Sequence, residues 1–126
     1  MITEDELSKE IIGSAIEVHR QLGPGLLESV YEQCLEYELL SRNLAVERQK
    51  PIPLIYKGVT LGSELKIDLL VGGLVVVELK SVDMLLPIHD AQVITYLRLT
   101  GCKLGLLLNF NVPMLKKGIR RLVWKL

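Results

Sequence analysis

The chain has 126 residues, 49% of them hydrophobic and 24% charged, and its formal net charge is zero. This length and composition indicate one soluble globular domain over residues 1–126 and exclude fibrous and disordered chains. No apolar run approaches the roughly 18–20 residues that cross a bilayer, and the acidic start MITEDELSKE differs from a signal peptide. We therefore expect a cytoplasmic protein with no membrane span.

The zero net charge conceals an uneven distribution along the chain. Residues 1–38 hold nine acids against two bases, whereas residues 39–126 hold six acids against thirteen bases. A split of this kind indicates either a basic surface for a polyanion or charges that only solubilise the protein. We expect any basic rim to draw on Lys50, Lys66, Arg98 and the C-terminal bases.

Cysteine usage argues against a zinc site. Cys34 and Cys102 lie in apolar surroundings without CxxC spacing, and the chain has only two histidines. Reduced, buried thiols are therefore the expected state.

Two helices are predicted at the start of the chain. Thr3 and Glu6 form a capping box, after which apolar residues recur at helical spacing until the GPG triplet at 23–25 ends the first helix. The second helix is expected from about Leu26 to Ser41.

From Lys50 onward the pattern becomes that of strands. The segments PIPLIY, ELKIDLLV and LVVVELK are predicted strands, separated by turn signals at 57–58 and 72–73. Pro87 suits the first turn of a third helix that closes at Gly101. The segment CKLGLLLNF is then predicted to be a strand buried on both faces, and GIRRLVWKL an edge strand.

The order of elements, α-α-β-β-β-α-β, predicts an α/β sandwich. An antiparallel meander is followed by a helical crossover that must return a strand to the same sheet. We expect a mixed central sheet of four to five strands flanked by helices.

The register of the hairpin around Gly72-Gly73 decides where Asp68 points. A two-residue loop would place Asp68 opposite Val77, on the apolar face, whereas a three-residue loop over 71–73 pairs Asp68 with Val76. The longer loop puts one apolar set on a single face: Leu65, Ile67, Leu69, Val75, Val77 and Leu79. A turn with a glycine bulge supplies such a loop.

With that register, Asp68, Glu78 and Lys80 share the opposite face of the hairpin. Asp68 and Glu78 become diagonal neighbours roughly 7–8 Å apart at Cβ, close enough to converge on one cation. Two carboxylates beside a lysine fit a hard cation such as Mg²⁺, with Mn²⁺ as an alternative. The other interpretation of the charged residues is an exposed ion pair at a strand end.

Three motifs in the chain resemble those of one nuclease superfamily. Asp68 followed by ELK (Glu78 to Lys80) resembles the D…(D/E)xK signature of the PD-(D/E)XK, or restriction-endonuclease-like, superfamily. The segment GLLESVY, from Gly25 to Tyr31, is similar to the motif of the GxxExxY family within that superfamily. The segment QVITY resembles the QxxxY motif of its exonuclease-like branches. The resemblance extends from about Gly23 to Val112 and implies a restriction-endonuclease-like fold.

The resemblance also implies roles for individual residues. Asp68, Glu78 and Glu28 would be the metal ligands, and Glu28 would orient the metal or an attacking water. Lys80 would be the catalytic lysine, so that the implied catalytic set is Glu28, Asp68, Glu78 and Lys80. The implied substrate-binding residues are Gln92, Tyr96 and Tyr31.

Several of these residues have simpler interpretations. Glu28 is also the kind of acid that favours the first turn of a helix, and Tyr31 suits core packing equally well. His89 and Asp90 invite a metal-hydrolase interpretation, but a capping or surface role is favoured because only one other histidine exists.

The leading functional hypothesis is a Mg²⁺-dependent nuclease that hydrolyses phosphodiester bonds, with DNA as the expected substrate. One alternative is a catalytically inactive nucleic-acid- or protein-binding module of the same fold, and another is a purely structural subunit, which the apolar composition and the edge strand at 118–125 favour. A homodimer is compatible with each hypothesis, and a membrane partner is not expected.

Overall fold

The computed structural model describes residues 2–62 and 65–125. Three helices flank the sheet: α1 (Glu4–Leu22), α2 (Glu28–Ser41) and α3 (Pro87–Thr100). No helix in the described ranges is both long and apolar enough to cross a bilayer.

The predicted ends of α1 and α3 are confirmed by their caps, whereas α2 begins at Glu28, two residues after the predicted start. The Thr3 hydroxyl accepts a hydrogen bond from the Glu6 amide at 3.1 Å and starts α1. The Gly23 amide donates to the His19 carbonyl at 2.8 Å where α1 ends. Pro87 opens α3, and Gly101 closes it in the left-handed conformation (φ 78°), which glycine adopts without steric cost.

Five strands form the mixed central sheet in the order β1-β4-β5-β6-β7. All neighbouring pairs are antiparallel except β5 and β6, which run parallel because α3 connects them as a crossover. The strands are β1 (Val46–Pro51), β4 (Lys66–Val71), β5 (Val75–Lys80), β6 (Leu104–Asn109) and β7 (Ile119–Val123). Every residue of β6 is buried and β7 lies at an edge, as the sequence predicts.

The segment PIPLIY does not form one strand. The sheet strand β1 starts earlier and ends at Pro51, and a separate two-stranded hairpin follows, made of β2 (Leu54–Tyr56) and β3 (Val59–Leu61). The ladder still pairs Pro51 with Lys66, and the Ile52 amide donates to the Leu65 carbonyl at 3.0 Å. Pro53 has no amide hydrogen to donate, so the ladder ends before it.

The β4–β5 hairpin has the predicted three-residue loop, but at 72–74 rather than 71–73. Val71 pairs with Val75 and Leu69 with Val77, so Asp68 lies directly opposite Glu78. The predicted pairing of Asp68 with Val76, which made Glu78 a diagonal neighbour, is therefore wrong by two residues along β5. From Leu69 to Lys80 the predicted faces are kept, because a shift of two positions preserves the alternation of side chains.

Two apolar clusters lie on the two faces of the sheet. One packs the sheet against α1 and α2, and the other packs it against α3. Ile67 belongs to the α3-side cluster and Leu65 packs against that cluster, so the prediction that both share the face of Leu69 is wrong. The cross-strand neighbour of this region, Gln49, has a left-handed backbone (φ 52°) and interrupts the ladder with β4 opposite Asp68.

Candidate active site

Asp68 on β4 and Glu78 on β5 form a pair of facing carboxylates. The Asp68 amide donates to Glu78 Oε1 at 3.1 Å, and the Leu79 amide donates to Asp68 Oδ2 at 2.9 Å. Each carboxylate thus bonds to the backbone of the strand that carries the other. These bonds hold both side chains together where the regular ladder between β4 and β5 stops.

Glu78 is almost completely withdrawn from water, with a relative exposure of 4%. Burial is the main reason that its pKa rises to about 9, and the negative charge of Asp68 raises the pKa further. The positive charge of Lys80, two residues along the same face, lowers the pKa of Glu78 but does not offset the effect of burial and of Asp68. In the absence of a cation, the Glu78 carboxyl group is therefore protonated at neutral pH.

This raised pKa predicts that stability falls as pH rises. Between about pH 5.5 and 8 the folded protein keeps the Glu78 proton, whereas the unfolded chain, with the ordinary pKa, has lost it. Unfolding therefore releases a proton, and the free energy of unfolding should decrease by up to about 1.4 kcal/mol per pH unit. Urea unfolding in EDTA should show this slope in the wild type.

The variant Glu78→Gln is neutral at every pH and should lose that slope. Glu10→Gln, which changes a half-exposed carboxylate on α1, is the matched control and should keep the slope. Equal slopes in wild type and Glu78→Gln would show that Glu78 is ionised in the folded protein.

A third carboxylate, Glu32 on α2, connects to this pair through Gln49. Glu32 is buried and accepts hydrogen bonds from Arg48 Nε at 2.9 Å and from Gln49 Nε2 at 2.6 Å. Gln49 Nε2 also lies 3.3 Å from Asp68 Oδ1. Sequence analysis missed this network, although Glu32 stands one helical turn after Glu28 and is flanked by the buried Tyr31 and Leu35.

Lys80 and Glu28 lie at the same end of the sheet as the carboxylate pair. Lys80 is half-buried at the end of β5 and, among the described residues, forms no ion pair. Glu28 is exposed at the start of α2 and lines a depression of ≈360 Å³ together with Ser81, the residue after Lys80. Glu28 therefore borders the site without contacting Asp68 or Glu78 through a hydrogen bond.

The carboxylate pair suits a divalent cation. No lysine or arginine of the described ranges forms an ion pair with Asp68 or Glu78. A bound cation would therefore supply the positive charge that lets both carboxyl groups ionise side by side. Mg²⁺ is typically held by one or two carboxylates and several waters. Within residues 2–62 and 65–125 no three His, Cys, Asp or Glu side chains are placed to share a metal ion, so Glu28 does not join the pair here.

Gln92 and Tyr96 lie together on α3 close to the carboxylates. Gln92 Nε2 donates to the Tyr96 hydroxyl at 3.0 Å, which agrees with their spacing on one helical face. Burial raises the pKa of the Tyr96 phenol, and the charges of Glu78 and Asp68 raise it further. Gln92 is exposed and can reach a ligand at the site, whereas Tyr96 presents little surface.

Tyr31 is placed in the core and not on the site surface. Its ring is fully buried and stacks on Phe110, with ring centroids 4.5 Å apart. Its hydroxyl donates to the Gly23 carbonyl at 2.5 Å and accepts from the Leu26 amide at 3.1 Å. This position favours the packing interpretation over substrate contact, because Tyr31 ties the loop before α2 to the core.

Tyr31→Phe should therefore lower stability while leaving substrate binding intact. The change leaves the Gly23 carbonyl and the Leu26 amide without their partner, which costs about 1–3 kcal/mol. Thermal unfolding measures the loss, and the KM for a nucleic acid substrate is the control readout. A raised KM at unchanged stability would restore the substrate role of Tyr31.

The basic rim is smaller than the sequence suggests. Lys50 pairs with Glu47 at 2.8 Å, and Arg120 and Arg121 pair with Asp90 and Asp5, each at 2.7 Å. Lys66 remains exposed just before Asp68 on β4. These salt bridges therefore neutralise three of the bases expected in the rim.

The remaining candidate residues have structural roles. The His89 ring accepts a hydrogen bond from the Leu86 amide at 3.0 Å and caps α3, while Asp90 binds Arg120. Cys34 and Cys102 are free thiols, as expected, but each is partly rather than fully buried.

A mixed five-stranded sheet flanked by helices, with paired acids and a lysine at adjoining strands, is the architecture of restriction-endonuclease-like nucleases. A family comparison agrees: the sequence profile of the PD-(D/E)XK nuclease superfamily matches residues 5–122. The chain therefore belongs to the PD-(D/E)XK nuclease superfamily. No curated protein and no solved structure matches it.

Proposed function

We propose that this chain is a Mg²⁺-dependent deoxyribonuclease of the GxxExxY type. The observation that carries the proposal is the facing of Asp68 and Glu78 across β4 and β5, with Lys80 on the same face of β5. An ordinary surface ion pair requires neither two facing carboxylates nor the burial of one of them. Superfamily membership supports nucleic acid as the substrate class.

The proposed roles follow from charge and position. Asp68 and Glu78 hold the cation, and Glu28 orients the attacking water from the rim of the adjoining depression. When bound, a divalent cation supplies the positive charge that polarises a phosphoryl oxygen and makes water a better nucleophile. Lys80 stabilises the charge that develops on the phosphate or assists removal of the water proton. Gln92 binds the phosphate or substrate strand, with Tyr96 holding the Gln92 side chain in place.

The test is a titration of Mg²⁺ and Mn²⁺ with end-labelled single- and double-stranded DNA. We expect cleavage that depends on the cation and is abolished by Glu78→Ala. Glu10→Ala, which removes an exposed carboxylate on α1, is the control and should cleave like the wild type.

The alternative function is a binding module of the same fold that performs no catalysis. DNA binding without cleavage at any concentration of either cation would establish that alternative. Binding of neither metal nor nucleic acid would overturn both functions and leave only the fold.

A further inference from the structure

The hairpin of β2 and β3 projects from the end of the sheet that carries the candidate site. It is inserted between β1, which ends at Pro51, and β4, which starts at Lys66 two residues before Asp68. Pro51 and Lys66 are paired in the ladder, so the chain leaves the sheet and returns at one point. Ile52, at the base of the insertion, is buried in the same cluster as Tyr96.

The hairpin has an apolar face that the described residues leave uncovered. Its register pairs Leu54 with Leu61 and Tyr56 with Val59, so these four side chains share one face. Tyr56 is 58% exposed, and Val59 and Leu61 are exposed as well. An isolated two-stranded hairpin is only marginally stable in water, so such a face suits a bound partner.

The charge around the hairpin is suited to a polyanion. From residue 48 to residue 62 the sequence holds three bases and no acid, although Arg48 and Lys50 form salt bridges with acids outside this range. Lys57 stands at the tip, with its ammonium 5.5 Å from the centre of the Tyr56 ring. Neither Lys57 nor Lys66 forms an ion pair with any described residue. Lys57 beside the exposed Tyr56 ring and Lys66 at the base of the insertion are therefore free to meet phosphates.

We infer that this hairpin is a substrate arm that binds a single-stranded stretch of nucleic acid leading to the Asp68–Glu78 site. Tyr56 stacks on a base, and Lys57 contacts a phosphate. A single strand is favoured over a duplex because stacking on Tyr56 requires an unstacked base. This inference rests on the proposed nuclease function, since it takes nucleic acid as the ligand of the site.

A second copy of the chain is the competing occupant of the same face. The unpaired lysines argue against it, because two identical hairpins packed face to face would bring like charges together. A nucleic acid strand instead neutralises both lysines.

The experiment measures the binding of a fluorescein-labelled single-stranded DNA of about 20 nucleotides by fluorescence anisotropy. Ca²⁺ replaces Mg²⁺, because it takes the same oxygen ligands, and intact probe is verified on a gel. Tyr56→Ala should raise Kd roughly 5- to 150-fold. Lys57→Gln should reduce the slope of log Kd against log salt by about 0.7. The matched controls, Tyr37→Ala and Lys9→Gln on the helical side, should change neither quantity; Tyr37 is 74% exposed on α2.

The outcomes separate this inference from the proposed function. If the wild type binds and cleaves DNA and Tyr56→Ala binds it with unchanged affinity, the arm is overturned and the nuclease function remains. If the wild type binds the probe but never cleaves DNA, and Tyr56→Ala loses that binding, the arm is kept and the nuclease function is overturned. A dimer that Tyr56→Ala converts to a monomer without loss of DNA affinity would assign the face to a second copy. A wild type that binds no probe would overturn the arm.

Discussion

Lys80→Ala should abolish most DNA cleavage while leaving cation binding intact or tighter. Removal of a preorganised group that stabilises developing charge costs about 2.7–4 kcal/mol, which is roughly a 10²- to 10³-fold loss in kcat. Removing a positive charge beside Asp68 and Glu78 cannot weaken the binding of a divalent cation electrostatically. Single-turnover cleavage and calorimetric Mg²⁺ titration measure the two effects.

Two further variants make the Lys80 result specific. Lys80→Arg keeps the positive charge but cannot give up its proton, so partial activity would assign charge stabilisation and complete loss would favour proton transfer. Lys9→Ala removes an exposed lysine from α1 and should cleave normally. Cleavage by Lys80→Ala at the wild-type rate would remove Lys80 from the mechanism.

Asp68→Asn should weaken cation binding and thereby cleavage. A neutral amide replaces an ionised ligand of a hard cation, and the amide is a poor substitute for it. The same change removes the negative charge that raises the pKa of Glu78, so that pKa should fall. Calorimetry with Mg²⁺ and Mn²⁺ measures the first effect, and the pH dependence of unfolding measures the second.

Asp5→Asn is the control for Asp68→Asn, because Asp5 pairs with Arg121 away from the carboxylates. It should leave cation binding unchanged. Asp68 also accepts a hydrogen bond from the Leu79 amide, so its replacement could affect folding. Thermal unfolding must therefore show that Asp68→Asn is folded. Unaltered Mg²⁺ affinity in a folded Asp68→Asn would mean that Asp68 is not a ligand.

The β4–β5 hairpin shows how much of the site could be predicted from the sequence. Alternation of apolar residues correctly selected an odd loop and placed Asp68 on the face of Glu78. It could not choose between loops at 71–73 and 72–74, because both keep every side chain on the same face. In the structure the Leu74 amide donates to the Val71 carbonyl at 3.0 Å, with Gly72 and Gly73 between them at positive φ, of 61° and 67°. The turn is therefore centred on the two glycines, and Leu74 becomes part of the loop.

Other features had no local signal at all. Glu32 meets Arg48 and Gln49 only because α2 packs beside β1, sixteen or seventeen residues further along the chain. The segment PIPLIY alternates like a single strand, and only Pro53, which cannot donate to the ladder, separates β1 from the hairpin of β2 and β3. The position of Tyr31 in the sequence fits either a substrate-binding residue or a core residue, and only its burial in the structure distinguishes the two.

The hydrogen bond from the Leu79 amide to Asp68 Oδ2 gives the protein a spectroscopic reporter at the site. A cation that takes this carboxylate oxygen competes with the amide for its lone pairs. The Leu79 amide proton should therefore shift its resonance and change its rate of exchange with solvent deuterium when the cation arrives. Titrating one assigned backbone resonance would then measure occupancy of the site with no nucleic acid present.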